Sequence, residues 1–168
     1  MRIVKNGDVH VSAPIGLPRA TVEQFIEQNR NWIEKARQRT AERLTSRDAF
    51  YDQLPLDTPQ QRNDAKHRLD ELLLPMVRRY AMQMGINVPA VYYSTMTSRW
   101  GVCYPKRGRV GFSVYLLLLP EWCAEHVVVH ELCHFLEPSH SARFHALMDH
   151  YFPRWREARA TSRRIERT

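Results

Sequence analysis

The feature that most constrains this chain is the stretch Val127-Val-Val-His-Glu-Leu-Cys-His-Phe-Leu-Glu-Pro-Ser-His140, and within it His130-Glu131-Leu132-Cys133-His134. On an α-helix, residues i and i+4 stand about 40° apart and about 6 Å along the axis. His130 and His134 can therefore turn both imidazoles to one metal ion. Glu131 projects about 100° further round, near enough to reach a water at that ion without ligating it. A zinc hydrolase needs this division of labour. Neutral imidazoles hold the ion, an open position takes water, and a free carboxylate takes the water's proton. Val128, Leu132, Phe135 and Leu136 recur at helical spacing away from the two histidines. They predict a helix with one buried face and its ligands on the other. The plainer reading is a pair of buried structural histidines.

His140, six residues after His134, is the candidate third ligand, and two residues compete with it. His126 lies one turn before His130 on the same face, but three imidazoles in line along a helix cannot complete a tetrahedron. Glu157 lies in an Arg-rich stretch, where an ion pair is the ordinary explanation. Pro120-Glu121 opens the histidine helix, and Pro138 is expected to end it because the residue before a proline is pushed out of the α region. The chain then doubles back and brings His140 in from outside the helix axis, with Phe144 anchoring the return segment.

The segment Thr97-Ser-Arg-Trp-Gly-Val-Cys103, then Pro120, Val-Val-Val-His-Glu-Leu-Cys-His, His140-Ser-Ala-Arg-Phe144 and Pro153, resembles the YgjP-like metallopeptidase family. That family is itself similar to the SprT-type protease domains. The resemblance is closest from Met96 to Arg159. It implies a minimal zincin fold with His130, His134 and His140 on one zinc ion and Glu131 as general base. Val102 stands where the family usually has Ser, Ser113 where it has Asn, His126 where it has Tyr, and Ser139 where it has Asn.

At 168 residues the chain suffices for one domain, and 43% hydrophobic with 26% charged residues is a globular balance. The net charge of +7 favours anionic partners, or else makes a solvated basic surface. Three cysteines, none in a Cys-x-x-Cys pair, argue against a disulfide framework and a zinc ribbon and suit a reducing compartment. No signal-peptide core or bilayer-length apolar run is visible, so a cytoplasmic protein with no membrane partner is expected.

Along the chain, Asn6-Gly7 between Ile3-Val4 and Val9, Val11 predicts a type I′ hairpin. Thr21-Val-Glu-Gln24 reads as a capping box opening a helix to about Arg43, with residues 45–57 as linker. Thr58-Pro-Gln-Gln61 starts a second helix whose buried stripe is Leu69, Leu72, Leu73, Met76, Tyr80 and Met84. Pro75 should kink or break it and Gly85 should stop it. Residues 88–95 read as a strand, and residues 109–114 as its partner after the turn at Pro105–Gly108. The loop bearing Arg99-Trp100-Gly101 would lie near a strand edge that an extended substrate could join. A third helix runs from about Ser141 to Tyr151, and a basic helix from Arg154 to Arg167 closes the chain.

These readings converge on an α+β, zincin-like metallopeptidase domain, with a small antiparallel sheet packed on helices and the histidine helix as active-site helix. Residues 1–168 form a single domain, with a hairpin and helix over 1–50 and the catalytic core over 58–168. The expected activity is zinc-dependent hydrolysis of a peptide or protein, with one zinc ion on His130, His134 and His140, and Glu131 as general base and then proton donor. Arg99, Trp100, Tyr104 and Arg143 are candidate substrate-binding residues, and Arg99, Tyr104 and Arg143 also candidate oxyanion donors. Three rivals stand beside this. The same site could hydrolyse nucleotide phosphoanhydrides. It could act on nucleic-acid-bound proteins, with Arg154, Arg156, Arg159, Arg163 and Arg164 as a phosphate-binding face. Or the zinc could be purely structural.

Overall fold

The computed structural model describes residues 1–4 and 8–166, apart from the side chain of Arg43. They fall into two compact units, residues 1–50 and Tyr51–Glu166. In the first, β1 (Arg2–Ile3) pairs antiparallel with β2 (Val9–His10), Arg2 opposite His10 and Ile3 opposite Val9. The turn expected at Asn6-Gly7 lies outside the described residues. α1 (Arg19–Gln28) starts ahead of the expected capping box: Pro18 is the N-cap, no side chain caps it, and Thr21 is already inside the first turn. Pro18, at φ −57°, delivers the chain ready for a helix and makes a side-chain cap dispensable. The single helix expected to run to Arg43 is two. Asn29 interrupts it, its side-chain amide donating to the Phe25 carbonyl at 2.8 Å. α2 (Arg30–Asp52) then continues through residues 45–52, which were expected to be linker. Periodicity is lost there because α2 is polar around most of its surface, so no apolar stripe marks its course.

In the second unit, α3 (Pro59–Met84) opens as expected. Thr58 Oγ1 accepts from the Gln61 N–H at 3.1 Å, and Gln61 Oε1 accepts from the Thr58 N–H at 2.9 Å. The helix passes through Pro75 unbroken and ends at Gly85, whose φ of 66° is the left-handed conformation that glycine supplies without strain. Pro75 is exposed, while Leu73, Met76 and Val77 beside it are buried and hold the two halves on one course.

The sheet is β3 (Ala90–Ser94), β4 (Gly101–Tyr104) and β5 (Arg109–Ser113), in the order β3-β5-β4. β4 and β5 form an antiparallel hairpin through a tight turn at Pro105–Arg107 and a left-handed Gly108. β3 and β5 run parallel. The sheet is therefore mixed, not antiparallel, and the stretch taken for a loop is partly an edge strand. The chain from Thr95 to Trp100 carries it past β5's position to the far edge, which leaves β3 and β5 pointing the same way.

α4 (Glu121–Cys133) is the element the second unit is built around, packed by α3, by β4, by α5 (Ala142–Tyr151) and by α6 (Trp155–Ile165). It is buried nearly all round, not on one face: Val128 and Leu132 are sealed on one side, and Cys123, His126, Val127 and Glu131 on another. Phe112, Leu116, Phe144 and Met148 complete the core around it. The architecture is α+β, and no helix among the described residues is long and apolar enough to cross a membrane.

Candidate metal centre

α4 stops at Cys133, earlier than Pro138 would dictate. The Phe135 N–H bonds to the Leu132 carbonyl and the Leu136 N–H to the Cys133 carbonyl, both at 3.0 Å, so the last turn tightens to i→i+3 spacing. The Glu137 N–H returns to the Cys133 carbonyl at 2.9 Å. Glu137 then shapes the turn, its Oε1 accepting from the Ser139 N–H at 3.2 Å and the Ser139 hydroxyl at 2.7 Å. Helix tightening and this side-chain clamp together reverse the chain and deliver His140.

The structure brings His130, His134 and His140 together, with one ligand atom from each within 4.8 Å of the others. His130 Nε2 and His140 Nε2 are 3.0 Å apart. Zinc–imidazole bonds of 2.0–2.1 Å at tetrahedral angles put ligand nitrogens about 3.3 Å apart, so this pair is already close to a shared-ion spacing. His134 Nδ1 lies 3.1 Å from the Glu137 carbonyl. A proton there donates to that oxygen and leaves Nε2 bare for a metal, the usual outer support of a ligating histidine. All three rings rest against Phe144, at centroid distances of 4.9, 4.7 and 4.8 Å. Burial, with His134 and the other nearby imidazoles adding to it, pushes His130 down to about 3, and His140 is lowered by the same causes. Neutral imidazole is the ligating form. The donor set therefore fits one metal ion. The three cysteines are free, and burial pushes the Cys103 and Cys133 thiols up to about 12, so neither is a ready thiolate ligand.

Glu131 is 6% exposed and accepts no hydrogen bond from any described residue. Burial pushes its carboxyl up to about 8, with Arg99 opposing more weakly. Gly101, at the start of β4, makes room for it: a Cβ there would lie 2.6 Å from Glu131 Cγ and 2.7 Å from Oε1. The approach to β4 is fixed from two sides. The Ser113 hydroxyl donates to the Met96 carbonyl at 2.6 Å, and the Ser113 N–H to the Trp100 carbonyl at 2.9 Å. Tyr51 OH donates to the Thr97 carbonyl at 3.1 Å.

Two recesses meet at this site. A groove lined by Val102, Cys103, His134 and Pro138 follows β4. A cavity of about 340 Å³ opens on the other side, between His126, Trp100 and α6. His130, Glu131, His140 and Arg99 border both. Trp100 lines the cavity. Tyr104 and Arg143 line neither. Tyr104 is exposed at the end of β4 with the Arg109 guanidinium 5.1 Å from its ring, and Arg143 is exposed on α5. Of the two rival ligands, Glu157 pairs with Arg154 at 2.9 and 3.0 Å, and His126 is buried beside His130 but outside the cluster. The sequence pattern does not mark Gly101 and Ser113 as supports of Glu131 and β4, nor Arg159 and Arg163 as parts of the site. The helical spacing of 155, 159, 162 and 163 was the available signal for the last two.

The expected arginine face is divided. Arg154 pairs with Glu157 and lies over the Trp122 ring, and Arg156 pairs with Asp149 at 2.6 Å. Arg159 and Arg163 turn to the cavity instead.

Three convergent imidazoles beside a buried carboxylate form a donor set able to hold one metal ion, in an α+β domain. The chain belongs to the YgjP-like metallopeptidase domain family, matched over residues 1–57 and 57–164. No curated protein and no solved structure matches it.

Proposed function

We propose that this protein is a zinc-dependent peptidase of zincin type, acting as one domain with its chemistry in the core that begins at residue 58. The observation that carries the reading is the convergence of His130, His134 and His140 beside Glu131. His130, His134 and His140 would hold the zinc. When bound, zinc polarises the scissile carbonyl and acidifies water. Glu131 takes the proton of the attacking water on a carboxylate oxygen and passes it to the leaving amine. Burial raises the carboxyl in the metal-free protein, and a bound cation would draw it back toward the ionised form that accepts the proton. β4 is a terminal strand of its sheet, so its outer row of backbone groups is open to an extended peptide, aligned along the groove that ends at Glu131. Arg99 borders that groove and is the cation nearest to hand for an oxyanion.

The test is the metal content of His140→Ala, Glu157→Ala and His126→Ala, each checked for folding, with peptide turnover measured alongside. Metal should fall sharply in His140→Ala and stay near one equivalent in Glu157→Ala. Retention in His140→Ala with loss in Glu157→Ala overturns the ligand set. A metal-loaded wild type that hydrolyses no peptide or protein overturns the peptidase reading.

A further inference from the structure

The cavity beside the metal centre has a chemistry of its own. α6 turns Trp155, Arg159, Ser162 and Arg163 to it, and Arg99 enters from the loop before β4. None of these three arginines takes part in an ion pair among the described residues, although Arg154 and Arg156 on the same helix both do. Among the described residues that line the cavity, the one acid is Glu131, at the metal edge. His126 is 7% exposed, and neither of its ring nitrogens meets a hydrogen-bond partner. A buried polar group left so costs roughly 1–3 kcal/mol, so its persistence here points to a ligand that satisfies it. A neutral imidazole there presents one N–H and one lone pair. The remaining walls are Trp100, Val127, Phe144 and Trp155.

We propose that this cavity is a subsite for a carboxylate of the peptide substrate, held by Arg159, Arg163 and the His126 N–H next to the bond that is cut; the proposal rests on the peptidase reading above. Guanidinium–carboxylate pairing supplies charge and a two-pronged fit; Arg159 and Arg163 are exposed at the cavity's mouth, and His126 is the buried donor. The size matches. About 340 Å³ lies at the low end of the ~300–1,000 Å³ range of ligand pockets, room for one residue of a chain. The described lining offers no glycine-rich loop of the kind phosphate sites use. An acidic side chain and a peptide's C-terminal carboxylate share this chemistry.

The experiment uses matched fluorogenic peptides in two sets: Glu against Gln at each position flanking the cleaved bond, and free C-terminal acid against amide. Turnover is measured for the wild type, Arg159→Gln/Arg163→Gln and Arg159→Lys. Binding of the same peptides to zinc-loaded Glu131→Gln, with and without Arg159→Gln/Arg163→Gln, is measured by calorimetry. The wild type should prefer a carboxylate-bearing peptide by about tenfold or more in kcat/KM, with Arg159→Lys keeping part of that preference and the double variant losing it. Preference within the first set assigns a side chain, and within the second a chain terminus; either supports the subsite. Equal cleavage of acidic and neutral peptides overturns the subsite and leaves the peptidase reading standing. Arginine-dependent binding of acidic peptides with no cleavage supports the subsite and overturns the peptidase reading. Binding of inorganic phosphate or a nucleoside triphosphate that depends on these arginines, with no peptide bound, overturns both.

Discussion

Glu125 and Glu131 stand on α4 less than two turns apart, one met by two donors and the other by none. Glu125 Oε1 accepts from Tyr80 OH at 2.6 Å and from the Arg79 guanidinium, and Glu125 is only half buried. Its neighbours pair it, and the cost shows on Tyr80, whose phenol is pushed up to about 12 by burial and by this carboxylate. Glu131 is more deeply buried, unpartnered, and faced by a glycine. On the proposed mechanism, the fold that satisfies one carboxylate and leaves the next bare separates a structural acid from a reactive one. Unsatisfied buried groups persist at functional sites because the surrounding structure carries their cost.

The strongest break of this contrast is Glu131→Gln. The amide keeps the shape and cannot take a proton. Turnover of peptide should fall by about 10⁴-fold, the upper end for loss of a general base, while zinc content stays near that of wild type. Retained turnover in the purified, zinc-loaded variant would end the mechanism.

Gly101→Ala attacks the same carboxylate from outside. Its Cβ would sit 2.6 Å from Glu131 Cγ, closer than such atoms approach, so the carboxylate must shift. Displacement on the ångström scale costs about 10²-fold in rate, and here it should appear in kcat more than in KM. Zinc binding should hold, since Gly101 is not among the clustered ligands. Wild-type kcat in this variant would show that Glu131's position is not critical.

The third consequence is a pH dependence of metal-free stability. Glu131's folded value of about 8 lies above its ordinary value of 4.5. The stability it contributes is therefore complete below about 4.5 and is lost as pH rises through 8. His126 and His130 are shifted down, so they destabilise on the acid side, below the ordinary 6.5. The clean window is thus 6.5 to 8, where stability of the metal-free protein should fall by about 2 kcal/mol. Urea unfolding with chelator measures it. Glu131→Gln should flatten the slope, and so should zinc, since a nearby cation draws the carboxyl's value down. A flat wild-type profile without metal would mean Glu131 is not held protonated.

The proposed reactive side of this contrast is far more legible in the sequence than the supporting side. Two histidines at helical spacing with Glu131 between them have a reason visible in one dimension, and His140 was placed by the need for a ligand off the helix axis. Thr58, Gly85 and the two strands β3 and β5 were legible for similar local reasons. β4 was missed because four residues after a polar loop carry little alternation, although its pairing with β5 is a local hairpin across the turn at Pro105–Gly108. The parallel pairing of β3 with β5 depends on where that loop takes the chain, which no local pattern records. α4's end depends on backbone bonds at Leu132 and Cys133, not on Pro138. Gly101 is a contact to a residue thirty positions away, and the uneven pairing of the α6 arginines depends on Asp149 and Glu157 being within reach.

The smallest effect sharpens the contrast from the structural side. Glu125→Gln removes the charge while leaving an oxygen able to accept from Tyr80. Arg79 is half exposed, so water compensates most of its lost ion pair. The expected cost is about 1 kcal/mol, read as a drop of a few degrees in the thermal midpoint, with turnover and zinc content unchanged. Tyr80→Phe removes the other donor and should cost a similar amount, but the two together should cost less than their sum, because they share one hydrogen bond. That non-additivity, measured by a double-mutant cycle, distinguishes a paired structural carboxylate from an indifferent surface one. A loss of turnover in Glu125→Gln would show instead that the acid near the start of α4 reaches the metal centre, and the division between the two glutamates would fall.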